Sequence, residues 1–388
     1  MRHRPHPLEL LRQAAAGRAR AGVRRGLVPR GPDHDGLVDL ASNDYLGLCG
    51  DPRLAAAAAA AAGEWGTGST GSRLVTGTTA LHARLEARLA EFTGAAAALV
   101  FSSGYLANLS VLTALAAALG APDDVLIVSD TGNHASLIDG CRLSRARVTV
   151  TPHRDPDAVR KVLADRDEPA AIVVSDAVFS VDGGQAPVAE LHAAARSGGA
   201  LLVLDEAHAL GVTGPGGRGA AAGAGIAAEP DLIRTVTLSK ALAGQGGAVL
   251  GAPEVIETLV DTGRGFIFDT GLAPPSVAAA LAAVEVIMAE PELGASARAA
   301  AVRLAATAAG EGLRVSTPEA AVLAVTVGAS ADAVRSQEIC AGYGVRVGCF
   351  RPPAVPRGRA CLRLAGRADL TDGDFAAAAR ALAAIRDH

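Results

Sequence analysis

Between residues 97 and 250 the chain repeats one pattern: a short apolar run, a polar or glycine break, then a helical length. The runs are Ala97–Phe101, Val125–Val128, Val148–Val150, Ala171–Val174, Leu201–Leu204, Thr235–Leu238 and Ala248–Leu250. Continuous apolar residues without polar alternation are what a strand needs when both of its faces are covered. Stretches such as 107–119 and 187–196 predict helices between them, the latter stopped by Gly198-Gly199. The pattern predicts an α/β fold, a mostly parallel sheet with helices on both faces, and ligand groups gathered at the C-terminal ends of its strands.

Beyond about 275 the pattern changes to alanine-rich helices (276–289, 295–309), a strand at 321–327, a helix near 331–342, short strands at 345–347 and 361–364 and a closing helix from 371. This predicts a smaller C-terminal α+β domain at 276–388, after a large ligand-binding domain at 51–275 and an N-terminal segment at 1–50. That segment holds a helix-like stretch from Leu8 to Val23 and a Pro/Gly-rich linker. Helices at 52–63 and 79–93 flank a loop, Gly66 to Gly71, that contains the dinucleotide pattern G-x-G-x-x-G. A nucleotide site of that kind needs a strand before the loop. Here a helix precedes it, so the loop is expected to be tight-turn backbone.

Composition narrows the chemistry. With 20% charged residues and a formal charge of -4, the chain of 388 residues has no basic field for nucleic acid or an anionic membrane, and no apolar stretch long enough for a span. Five scattered cysteines without a Cys-x-x-Cys spacing argue against a disulfide framework or a zinc ribbon and fit a cytoplasmic protein; no metal ligand set is read. Lysine occurs only at 161 and 240, in a chain that otherwise carries its positive charge as arginine. Guanidinium stays protonated, whereas a lysine amine can lose its proton and attack a carbonyl, so Lys240 at a strand end is a candidate for covalent chemistry.

The other polar groups stand at strand ends. Ser103-Gly104-Tyr105 precedes a helix, where exposed N–H groups suit a phosphate and equally an ordinary cap. His134, in Asn133-His134-Ala-Ser136, suits stacking on a flat ring or plain solvation, and Ser175 to Gly183 adds polar groups after the next strand. Asp205 follows four apolar residues in Leu-Asp205-Glu-Ala-His208, a burial that requires a partner. The same string serves magnesium in DEAH-type hydrolases, but these need a G-x-x-x-x-G-K-[ST] loop that neither lysine can complete. A protonated ring nitrogen is the other partner. Pyridoxal 5'-phosphate (PLP) takes a lysine, a carboxylate for its ring nitrogen and a phosphate cradle, and Lys240, Asp205 and Ser103-Gly104-Tyr105 supply one of each. His208 can then meet the ring hydroxyl and Thr237 the phosphate. Arg351, fixed before Pro352-Pro353, has the fork geometry to grip a carboxylate.

Over nearly its whole length the chain resembles the α-oxoamine synthases, fold-type I PLP enzymes. The resemblance is carried by Asn43-Asp-Tyr-Leu-Gly-Leu48, Gly68 to Arg73, Phe101-Ser-Ser-Gly-Tyr105, Asn133-His-Ala-Ser-Leu137, Val178 to Gly183, Asp205-Glu-Ala-His208, Leu238-Ser-Lys240 and Arg351 to Pro356. It implies Lys240 as the Schiff-base lysine, Asp205 as the pyridinium partner, His208 at the ring hydroxyl with Ser180 nearby, and His134 stacked on the ring. It puts Gly104, Tyr105 and Thr237 at the phosphate, with Thr270 reaching it across a homodimer interface. Asn43 falls near substrate, Arg351 at the amino-acid carboxylate, and Arg24, beside Arg25, at the acyl substrate. The reaction implied joins L-alanine to a pimeloyl thioester; relatives use glycine or serine with other acyl groups. Ala209 and Ala243 depart from the family pattern, the first where glycine or serine and the second where glycine is common.

Overall fold

The computed structural model describes residues 6–32 and 34–386. Its centre is a seven-stranded sheet of β1 (Ala97–Phe101), β2 (Val125–Asp130), β3 (Arg147–Thr151), β4 (Ala170–Asp176), β5 (Leu201–Asp205), β6 (Leu232–Thr237) and β7 (Gly247–Gly251), in spatial order β1-β7-β6-β5-β4-β2-β3. Neighbours run parallel except at β7, which is antiparallel to both β1 and β6. The predicted runs fall inside these strands with one displacement: β6 starts three residues before Thr235 and ends before Leu238.

Successive residues of one strand enter different apolar clusters. Leu126, Val128, Leu202 and Leu204 pack with Leu85 and Leu89, whereas Val125, Ile127 and Val203 pack with Val111, Leu112 and Leu115. Side chains alternate across a sheet, so burial on both faces turns each strand into an unbroken apolar run. The covering helices include α2 (Pro52–Trp65), α3 (Ala80–Thr93), α4 (Gly104–Leu119) and α5 (Ala135–Ser144), preceded by α1 (Pro7–Arg20), which has no buried residue. Between α2 and α3 the glycine loop leads into a π-turn at Arg73–Gly77, with no strand before it. The Arg73 guanidinium crosses to the Val100 carbonyl (2.9 Å) and pairs with Glu86 (2.9 Å), so this loop is structural backbone.

The C-terminal part is a four-stranded antiparallel sheet, ordered Gly348–Phe350, Ala360–Ala365, Val322–Gly328, Arg314–Val315. Leu304, Leu323, Leu362 and Leu382 anchor its core. Val38–Asp39 pairs in parallel with Val345–Arg346, and Leu40 joins that core, so the chain touches its C-terminal part before building the large sheet. Among the described residues no helix is long and apolar enough to cross a membrane.

Candidate active site

Three adjacent strands, β4, β5 and β6, end in Asp176, Asp205 and Thr237, and the register sets Asp205 opposite Asp176 on one side and Thr235 on the other. Asp205 is 4% exposed. Its Oδ1 accepts the Ala207 N–H (2.8 Å) and its Oδ2 accepts from the Asn108 amide (2.7 Å), and among the described residues it makes no ion pair. A buried carboxylate satisfied only by neutral donors remains available to a cationic N–H. Asp176 takes the His134 backbone N–H (2.6 Å); burial first, and then the neighbouring Asp205, push its carboxyl well above the usual range.

Lys240 follows β6 after a two-residue turn. Its Nζ lies 2.8 Å from His208 Nε2, and His208 Nδ1 lies 2.6 Å from the Tyr45 hydroxyl. Burial lowers the Lys240 amine to about 8, with Asp205 pulling it back up and Arg363 pushing it further down. Burial likewise drives His208 well below its ordinary value, helped by Lys240 and Arg363. A neutral His208 therefore faces an amine that is partly neutral near physiological pH, the form that attacks a carbonyl.

Arg363, 3% exposed, completes this corner. It donates from Nε to the Ser180 carbonyl (2.7 Å) and from Nη2 to the Tyr45 hydroxyl (3.0 Å). Among the described residues it has no carboxylate partner and its Nη1 has no hydrogen bond. A buried guanidinium in that state is a receptor for an anionic group.

The phosphate end lies at the N-terminus of α4. Ser103 caps the helix, its Oγ accepting the Leu106 N–H (3.1 Å), and Gly104 and Tyr105 form the first turn. The Thr237 and Ser239 hydroxyls meet at 2.8 Å. A Cβ on Gly104 would sit 3.1 Å from the Thr237 Cβ, and one on Gly247 would sit 2.4 Å from the Gly104 nitrogen. Glycines at 104 and 247 let the helix start approach Thr237 and the first residue of β7 this closely, which sets the first-turn N–H groups beside the Thr237 hydroxyl. Carboxylate, lysine and anion cradle thus stand together, and the donor set fits PLP.

His134 caps α5, its Nδ1 2.7 Å from Ser136 Oγ; its imidazole is lowered by burial and by Lys240 and raised by Asp205 and Asp139. Tyr105 is 46% exposed and donates to Asp139 (2.5 Å) instead of closing on the cradle. Asn43 accepts from the Tyr45 hydroxyl (3.1 Å), which attaches it to the His208 corner. Three expected residues are not brought in by contacts of this chain. Thr270 is exposed and bridges Ser72, Arg24 is exposed, and Arg351 donates to the Gly22 carbonyl (2.8 Å) on the N-terminal segment. Sequence reasoning missed Tyr45, Asn108, Asp176, Ser239 and Arg363. Tyr45, Asp176 and Ser239 lie in runs the sequence singled out but received no role, and Arg363 left its signal as a charge inside an apolar strand run.

The family model for aminotransferase class I and II matches residues 35–382. The chain belongs to that family, within its PLP-dependent α-oxoamine synthases. It is 52% identical over 380 residues to the 8-amino-7-oxononanoate synthase of Mycobacterium sp. (strain JLS), covering 98% of this chain and 97% of that protein. The synthase of Mycolicibacterium smegmatis is 52% identical over 376 residues, covering 97% and 96%. Among solved structures it resembles the serine palmitoyltransferase of Sphingomonas wittichii (TM-score 0.88, 30% identity, 97% and 96% covered) and the 8-amino-7-oxononanoate synthase of Francisella tularensis (TM-score 0.76, 25% identity, 91% and 98% covered).

Proposed function

We propose that this protein condenses L-alanine with a pimeloyl thioester, releasing carbon dioxide and the thiol, to give 8-amino-7-oxononanoate for biotin synthesis. The observation that carries the reading is a lysine amine lowered to about 8 near a buried Asp205 that makes no ion pair among the described residues. The relatives bearing that synthase name match the chain over nearly its full length. When bound, PLP supplies the electron sink for charge on the amino-acid α-carbon.

The chain's own groups do the rest. Lys240 would hold the cofactor carbonyl, and its amine would be the group that takes the α-proton and later returns one. Asp205 would keep a proton on the ring nitrogen, and His208, with Ser180 nearby, would serve the ring hydroxyl. The N–H groups of Gly104 and Tyr105, with Ser103, Thr237 and Ser239, would hold the phosphate, and His134 would cover the ring. Arg363 binds the alanine carboxylate. Arg351, Arg24 and Asn43 serve the substrate approach. We assign Arg363 the carboxylate because it is buried beside Lys240 with a free donor face, whereas Arg351 spends its Nη1 on Gly22. The enzyme works as a homodimer in which Thr270 of one protomer serves the phosphate of the other. It acts in a reducing cytoplasm, where its free thiols are stable.

A second reading, another α-oxoamine synthase, is favoured by the closer overlay on serine palmitoyltransferase than on the Francisella synthase. Thiol release measured with alanine, glycine and serine, each against pimeloyl, acetyl, succinyl and palmitoyl thioesters of CoA and of acyl carrier protein, separates them. Turnover with alanine and a pimeloyl thioester supports the proposal; turnover confined to glycine or serine overturns it.

A further inference from the structure

Asn108 sits one turn into α4, 2% exposed, and takes no direct part in the chemistry above. Its amide makes three contacts. Nδ2 donates to Asp205 Oδ2 (2.7 Å) and to Ser136 Oγ (2.9 Å), while Oδ1 accepts from the Thr235 hydroxyl (2.6 Å). The Thr235 donor and the two acceptors fix which end of the amide is nitrogen. Ser136 Oγ already accepts from Asn108, so its proton goes to His134 Nδ1 at 2.7 Å. The Ser136 backbone N–H also points at that nitrogen (3.3 Å). Two donors on Nδ1 leave the imidazole proton on Nε2. Each link has one available direction, and the chain of bonds runs from β6 through α4 and α5 to β5.

We propose that Asn108 is a positioning residue that locks Asp205 and the His134 ring into one unit through Ser136, holding His134 as its Nε2–H tautomer toward the cofactor. The inference rests on the PLP reading of this site, because only a flat, protonated ring needs its nitrogen partner and its stacking partner set relative to each other. It gives a role to an amide buried on a helix whose other buried residues are, apart from Ser110, apolar. Deleting a donor to a buried carboxylate disturbs both its position and its charge.

The groups facing His134 are Asp205 on β5, Lys240 after β6, Asp139 on its own helix, Asp176 on β4 and His208 after β5. All remain in a Ser136→Ala protein, so a change there reports the hydroxyl alone. The test uses full-length protein labelled with ¹⁵N-histidine, with and without PLP, as wild type, Ser136→Ala, Ser136→Thr and Asn108→Ala. Wild type is expected to show His134 with Nδ1 unprotonated and Nε2 protonated. In Ser136→Ala the lock on Nδ1 is lost, and the His134 titration midpoint moves up by about half to one pH unit. Ser136→Thr restores both. Asn108→Ala is expected to move His134 in the same direction and to shift the pH midpoint of the bound-PLP absorbance band, which Ser136→Ala leaves within about 0.2 units. An unchanged His134 tautomer and midpoint in Ser136→Ala overturn the proposal, as does an unchanged band midpoint in a folded Asn108→Ala protein. Failure of the wild type to give any absorbance band with PLP overturns instead the cofactor reading, and the histidine spectra of the PLP-free protein still decide the lock.

Discussion

Lys240 owes its reactivity to where β6 ends rather than to its neighbours in sequence. Burial holds the amine at about 8 against an ordinary 10.5, so the neutral fraction grows as pH rises through 8. The rate at which the PLP-free protein captures the cofactor is therefore expected to rise with pH and level off above about 9; stopped-flow absorbance checks it, and a rate still climbing tenfold per unit at pH 10 contradicts it. Under the proposal Arg363 takes the alanine carboxylate, where the sequence suggested Arg351. The prolines beside Arg351 made it conspicuous, whereas Arg363 lies inside an apolar run and only burial reveals its role. Arg363→Gln is expected to raise KM for alanine on the order of 10- to 100-fold, from the loss of a charge-assisted pair, with a smaller effect for Arg351→Gln. An equal or reversed ranking in steady-state kinetics would return the carboxylate to Arg351. Ala243 also gains an explanation: its φ is +51°, in the left-handed region where a Cβ is strained. Ala243→Gly is expected to stabilise the protein by about 1 kcal/mol in urea unfolding, and a loss of stability would show that the turn needs the methyl group.

The elements that carry the site were legible where burial alone decides them. Strands covered on both faces announce themselves as apolar runs, and those runs lie inside the observed strands. The exception, β6, has a physical cause. Its third residue is Arg234, 1% exposed and 3.4 Å from buried Glu206, so a charged pair lies within the core and breaks the apolar signal. Start positions of helices were less legible: α4 begins at Gly104, inside the stretch expected to precede it, which puts the N–H groups of its first turn at the cradle. Gly104→Ala tests that geometry, because the helix itself tolerates alanine while the added Cβ crowds Thr237 at 3.1 Å. Fluorescence titration is expected to give PLP binding weakened about tenfold with unfolding unchanged or slightly improved; unchanged affinity would remove this helix end from the phosphate site.

Over the whole molecule the site is assembled from distant chain segments, and this limits what a linear reading can find. Tyr45 and His208 are 163 residues apart, and Asn108 and Asp205 are 97 apart, yet each pair is hydrogen-bonded. Residues already chemically conspicuous, the lysine, the buried aspartate and the histidine after it, were readable, and Asp176 was marked only as part of a polar run; Tyr45 and Asn108 act through proximity and had no role in the sequence. The outer surface carries its own information. Leu8, Leu10 and Leu11 on α1, Leu74 and Val75 in the π-turn, and Phe268 beside Thr270 are all more than half or about half exposed in the single chain. Apolar residues of this kind fit burial between two copies. Sedimentation velocity is expected to give a dimer, and Thr270→Ala is expected to weaken PLP binding without dissociating it; a monomer with unaltered cofactor affinity would refute the shared site.

The chain's two lysines make the central assignment open to a single direct measurement. PLP-loaded protein is reduced with borohydride, digested, and the modified peptide identified by mass spectrometry. Lys240 is expected to carry the cofactor and Lys161, on the helix Pro156–Ala164, to remain unmodified. Modification at Lys161, or none at either lysine in protein that nonetheless condenses alanine with the thioester, would contradict the assignment of Lys240 as the residue on which this enzyme works.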